Sequence, residues 1–135
     1  MNAGELKELA TRYTAAWCSQ NAQSVAAFFA RGGTLKINDG SPSIGRTAIT
    51  EAAQGFMTSF PDLVVTMDAI TLTDGDHAVY RWALRGTNFG PGGTGKAVRI
   101  CGYEKWTIGA EGLIAESEGH FDEADYKRQL QASPI

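Results

Sequence analysis

The chain has 135 residues, 43% of them hydrophobic, which is enough for one domain with one core. Fifteen acidic residues against 12 basic ones give a net charge of −3, with no Lys or Arg run, so a nucleic-acid partner is not expected. No apolar stretch approaches the roughly 20 residues of a membrane span, and MNAGELKELA has neither the basic nor the apolar region of a signal peptide.

Cys18 and Cys101 lack any CxxC spacing. They read as buried thiols in a reducing cytoplasm, the expected location. In chain order, residues 4–19 place Leu6, Leu9, Tyr13 and Trp17 at helical spacings of three and four. SVAAFFA, 24–30, reads as a shorter helix ended by Gly32 and Gly33. TLKIN, 34–38, alternates as a strand and runs into the turn-rich DGSPSIG. From Arg46 to Ser59, Ile49, Ala53, Phe56 and Phe60 share the face of a third helix that Pro61 stops.

After Pro61 the period changes from 3.6 to 2. LVVTMDAITL, HAVYRWALRGT, KAVRICGYEKWTI and LIAESEGHF are strand-like and separated by DGD, GPGGTG and GAEG turns. EADYKRQLQASPI, 123–135, reads as a short terminal helix. Helices first and antiparallel strands afterwards predict an α+β fold, one domain over 1–135, with helices on one face of a curved sheet. Strand 96–108 is expected beside 112–122.

The segment GPGGTGKAV, 90–98, comes close to a phosphate-binding loop. Such a loop leads from a strand into a helix whose amides receive the anion. Here Ala97 stands where the Ser or Thr belongs, and the residues after it alternate as a strand. The expectation is a glycine-rich hairpin connection.

Alternation sorts the strand residues by face. Tyr80, Trp82 and Leu84 suit the interior, which leaves Arg81 and Arg85 outside. Ile100, Gly102, Glu104, Trp106 and Ile108 share a face, so Glu104 sits on an otherwise apolar stripe. Either it is a pocket carboxyl or a twist turns it to water. Ile114, Glu116, Glu118, His120 and Asp122 share one face of the last strand, opposite Ala115, Ser117, Gly119 and Phe121. His120 and Asp122 are candidates for proton transfer, since an imidazole can orient a nearby carboxylate. The plainer reading is a pair that caps the strand end. Glu118, His120 and Asp122 at i, i+2 and i+4 are also a weak zinc pattern; no metal is expected, with only two histidines in the chain.

GTNFGPGGTGKAV, YTAAW, IGRTAI…FMTSFPDL and LIAESEGHFD together resemble the SnoaL-like polyketide cyclases, over roughly residues 5–130. The resemblance implies the cone-shaped fold of the nuclear transport factor two and ketosteroid isomerase superfamily, also called cystatin-like. It also implies a homodimer, no cofactor, and Asp122 as the general acid/base. RYTAA and the strand carrying Glu104 further resemble ketosteroid isomerase. That resemblance implies that Tyr13 and a protonated Glu104 stabilise an enolate. Ile37 or Asn38 stands where that enzyme's base should be, and Asn88 replaces a usual His.

The resulting expectation is a small cyclase or isomerase acting beside the carbonyl of a small apolar ligand. Asp122, His120, Glu104 and Tyr13 would carry the chemistry. Trp17, Asn38, Phe56, Tyr80, Trp82, Trp106 and Glu118 would line the ligand. The alternative is a binding or dimerisation module without catalysis.

Overall fold

The computed structural model describes residues 1–131. Helix α1, Ala3–Cys18, starts at a reciprocal cap: Glu5 N donates to Asn2 Oδ1 at 2.8 Å, and Asn2 N donates to Glu5 Oε1 at 3.1 Å. Its buried face is Leu6, Ala10, Tyr13, Ala16 and Trp17, the stripe that the spacing predicts. The second helix, α2, spans Ala22–Ala26, and strand β1 begins already at Phe29 and runs to Ile37. The helix expected over 24–30 is therefore shifted and shorter. Phe29 is fully buried and pairs with Ile114, and aromatic residues suit a strand. Gly33 does not stop a helix. It fills a register shift in β1, where an added Cβ would meet Ala30 O at 2.9 Å and Ile114 O at 3.0 Å.

Strand β2 is the short Ser43–Ile44, and α3 is Arg46–Ser59. Then come β3 Val64–Leu72, β4 His77–Thr87, β5 Ala97–Ile108, β6 Ile114–Phe121 and helix α4, Glu123–Gln131. The last four positions of the expected terminal helix, 132–135, lie outside the described residues. One sheet has the order β2-β1-β6-β5-β4-β3. Its pairs are antiparallel except β1 with β6, which run parallel. The core lies between the helices and one sheet face, with Phe60, Trp106 and Tyr80 among its largest buried members. Each such side chain contributes about 1.5–3 kcal/mol by leaving water.

The glycine-rich segment joins β4 to β5 and leads into a strand, as expected, so it offers no helix N-terminus to an anion. Asn88 fixes its shape: Oδ1 accepts from Thr94 N at 2.8 Å, and Nδ2 donates to Ser59 O at 3.1 Å. Gly90 lies so close to α3 that a Cβ would stand 2.2 Å from Thr58 O.

Helix α4 is tied to the sheet where β6 has ended. Pairing of β6 with β5 stops at Phe121 opposite Gly102. Beyond it, Arg99 N donates to Gln129 Oε1 at 2.7 Å, and Gln129 Nε2 donates to Arg99 O at 2.8 Å. One side-chain amide thus does there what a neighbouring strand does elsewhere. The two cysteines depart from expectation: both are free and exposed. Cys18 is the last residue of α1, at the rim of its buried stripe, and Cys101 alternates to the outer sheet face. Among the described residues no helix is long and apolar enough to cross a membrane.

Candidate functional site

Glu104 sits near the middle of β5, with Gly119 of β6 on one side and Tyr80 of β4 on the other. It is 7% exposed and on the inner face, as alternation predicts. Its Oε1 receives three donors: Ser117 Oγ at 2.7 Å, Tyr13 Oη at 3.0 Å and Trp106 Nε1 at 3.1 Å. Oε2 has a single contact, Tyr13 Oη at 3.3 Å. Burial pushes the carboxyl above its usual range, while the donors from Ser117, Trp106 and Tyr13 pull the other way. The Tyr13 phenol is held well above its ordinary value, first by burial and then by the Glu104 charge.

Aromatic rings lock this carboxyl in place. The Tyr13 ring meets Tyr80 at 5.4 Å and Trp106 at 5.2 Å edge-on, and Tyr80 stacks on Trp106 at 4.9 Å. Burial raises the Tyr80 phenol far above its usual value, and its hydroxyl shares a short hydrogen bond with Thr14 Oγ1. In front of Glu104 lies a cavity of about 60 Å³. That is room for a few waters or a small molecule, against about 300–1,000 Å³ for a drug-sized ligand. Trp17, Phe56, Tyr80, Trp82 and Phe121 supply its rings; Leu35, Ile37, Val65, Leu84 and Ile100 its aliphatic walls; and Gly119 completes it. Among the described residues that line it, Glu104 carries the one carboxyl.

The structure brings together Tyr13, Glu104, Trp17, Phe56, Tyr80 and Trp82, but not all in the expected roles. Tyr13 and Trp106 do not line the cavity; their donors are spent on Glu104. Asp122 does not point into the cavity. It is exposed and caps α4, with Asp125 N donating to its Oδ1 at 3.0 Å; the cap serves the helix, where the plainer reading expected a pair with His120 at the strand end. His120 lies on the outer face against Tyr103, with ring centroids 5.1 Å apart, and Glu118 is exposed on that face. Asn38, at φ 51°, closes the end of β1: its Oδ1 accepts from Phe121 N at 3.0 Å, and it lines an outer groove instead.

One bulge accounts for these displacements in β6. Across from the regularly alternating Glu104, Trp106 and Ile108 stand Gly119, Ser117 and Ile114. The spacing of three between Ile114 and Ser117 inserts one residue, so every residue after it changes face. Ser117, Gly119 and Phe121 turn inward, while Glu116, Glu118 and His120 turn outward. Ser117 was missed for that reason. Among the described residues, no group of three or more His, Cys, Asp or Glu could hold a metal, Glu118, His120 and Asp122 included.

Known proteins place this architecture. No curated protein matches the chain. A structure from Jannaschia sp. CCS1, provisionally described as a SnoaL-like polyketide cyclase, is 19% identical. It aligns over 97% of this chain and 94% of its own, with a TM-score of 0.83. A hypothetical protein of ketosteroid isomerase-like fold from Catenulispora acidiphila, in complex with trimethylamine, is 18% identical over 91% and 92%, with a TM-score of 0.80. The epoxide hydrolase/cyclase-like enzyme SalBIII, with a role in pyran ring formation in polyether salinomycin, is 18% identical over 92% and 95%, with a TM-score of 0.78. The model of the SnoaL-like domain matches residues 10–117, most of the chain, so the protein belongs to the SnoaL-like family and has the ketosteroid isomerase-like fold.

Proposed function

We propose that the protein binds a small, largely apolar carbonyl compound in this cavity and moves a proton on it with Glu104, as a cyclase or isomerase. The observation that carries the reading is a buried, hydrogen-bonded carboxyl set into an otherwise apolar cavity. Burial favours the neutral acid, which donates a hydrogen bond to a carbonyl oxygen. Transfer of that proton to the oxygen leaves a carboxylate, and the carboxylate then takes a proton from the adjacent carbon. The acid is regenerated and the ketone has become an enol, ready for ring closure or for reprotonation elsewhere. A positioned acid/base of this kind contributes about 10²–10⁴-fold.

The test is exchange of the α-hydrogens of small cyclic ketones in deuterated water, followed by NMR. Glu104→Gln should retain binding and lose the exchange. Exchange at the wild-type rate in that variant would refute the role of Glu104.

A second reading, a binding module without catalysis, is favoured by the displacement of Asp122 and His120 from the cavity. Its ligand would be a small amine, held by the ring-rich wall and an ionised Glu104. The relative with trimethylamine bound supports that choice. Amine binding with proton release and no ketone exchange would select it.

We also propose a homodimer packed through the outer sheet face. Arg85 and Arg99 stand directly opposite each other there and are both exposed, an arrangement that costs stability in isolation. Among the described residues the ion pairs are Lys127–Glu123 and Arg128–Asp125, both within α4. Glu116 and Glu118 lie toward the other end of the same face. A two-fold axis through the face sets those acids over the partner's arginines. Sedimentation should give a dimer that weakens with salt; a monomer at high micromolar concentration would refute it. A cytoplasmic location completes the reading, supported by two free thiols.

A further inference from the structure

The two oxygens of Glu104 are not equivalent. The Trp106 indole N–H can only donate, and at 3.1 Å from Oε1 it takes one of that oxygen's lone pairs and disfavours a proton there. Ser117 Oγ can donate or accept, but beside an oxygen held unprotonated it donates, at 2.7 Å. Ser117 is fully buried and stands directly across from Trp106, so both donors approach from one side of the strand pair. With Tyr13 at 3.0 Å they occupy Oε1 fully. Oε2 keeps only the longer 3.3 Å contact. Gly119, opposite Glu104, has no side chain to fill the cavity in front of it.

We propose that Ser117, together with the Trp106 indole, is a positioning residue: the two keep Glu104 Oε1 as a standing acceptor, so that Oε2 alone takes and gives the proton at the cavity. The proposal rests on the reading of Glu104 as the proton-moving group, and it assigns that proton to one atom. Two further titratable groups face Glu104: Tyr13 from α1 and Tyr80 from β4, both phenols raised by burial. From β6 it meets only Ser117 and Gly119, while Lys105 and Glu118 stand on the opposite sheet face. A donor to Oε1 favours the carboxylate, so losing it should move the titration midpoint of Glu104 upward.

The experiment is a pH titration of ¹³C-labelled glutamate carboxyls in the ligand-free protein, with Glu104→Gln identifying the signal. Ser117→Ala should raise the Glu104 midpoint by about one pH unit, the worth of one hydrogen bond to a charged group. Trp106→Phe should raise it too. Ser117→Cys, similar in size and a weaker donor, should give a smaller rise and stands in if the alanine variant does not fold. A merely structural role for Ser117 would lower the melting temperature and leave the midpoint in place; that result overturns the proposal. Because no ligand is present, the two readings fail separately. A shifted midpoint without Glu104-dependent ketone exchange would sink the function and leave Ser117 as the donor that holds Oε1. Glu104-dependent exchange with an unmoved midpoint would do the reverse.

Discussion

Removing the Glu104 carboxyl tests the polar cluster directly, because the outcome depends on what replaces it. Glu104→Leu leaves three donors facing hydrocarbon: the Tyr13 hydroxyl, the Ser117 hydroxyl and the Trp106 N–H, on residues at most 1% exposed. Each buried donor left without a partner costs about 1–3 kcal/mol. Even the low end sums to about 3 kcal/mol, a large share of the about 5–15 kcal/mol that holds a domain together. Relief from desolvating the carboxyl offsets part of this. Glu104→Gln keeps an oxygen for all three donors and cannot ionise, so it should cost little. Thermal unfolding followed by circular dichroism should show the leucine variant melting about 10 °C or more below the glutamine variant. Equal melting temperatures would mean that the three donors find other partners, and the account of the cluster would be wrong.

Three further outcomes rest on the same geometry. The folded-state midpoint of Glu104 lies above the unfolded one, so its contribution is fully present below the unfolded midpoint and is lost as pH rises through the folded one. Wild type should therefore lose stability relative to Glu104→Gln by about 1.4 kcal/mol per unit of displacement; parallel pH–stability curves would contradict this. Asp122→Ala should cost about 1 kcal/mol and speed hydrogen exchange in the first turn of α4, while leaving ketone exchange unchanged; loss of that exchange would restore a chemical role to Asp122. At Gly119→Ala the new Cβ meets Glu104 Cγ at 3.7 Å, an ordinary contact. The fold should survive and ligand affinity fall as the cavity fills, so unaltered affinity would place the ligand elsewhere.

Much of the architecture was legible because periodicity survives tertiary packing. The change from 3.6 to 2 after Pro61 marked the four strands that follow it, and alternation placed Tyr80 and Glu104 inward and Arg81 and Arg85 outward. The family motifs then supplied the cone. What stayed hidden depends on single-residue events. The extra residue in β6 cannot be seen in LIAESEGHF, where Ile114 is a good inward residue and simple counting carries its face to His120 and Asp122. A local signal did exist, since Ser117, Gly119 and Phe121 form the less charged of the two sets. It was outweighed by the chemical interest of the other. Resemblance put Tyr13 and Glu104 in one site, yet coordinates were required to show that the Tyr13 hydroxyl donates to Glu104 itself and does not line the cavity.

The amide of Gln129 that occupies the free backbone groups of Arg99 bears on how this chain can change in length. Its reach depends on the count of residues from the cap at Asp122. Each helical residue turns the chain by about 100°, so one insertion or deletion between Asp122 and Gln129 would swing the amide away and leave Arg99's N–H and C=O exposed at the sheet margin. Unpaired backbone of that kind invites a strand from another molecule. The turn between β5 and β6 carries no such side-chain link and can vary more freely. The short segment between the last strand and Gln129 should therefore be the part of the surface least tolerant of insertion, for a reason that has nothing to do with the cavity.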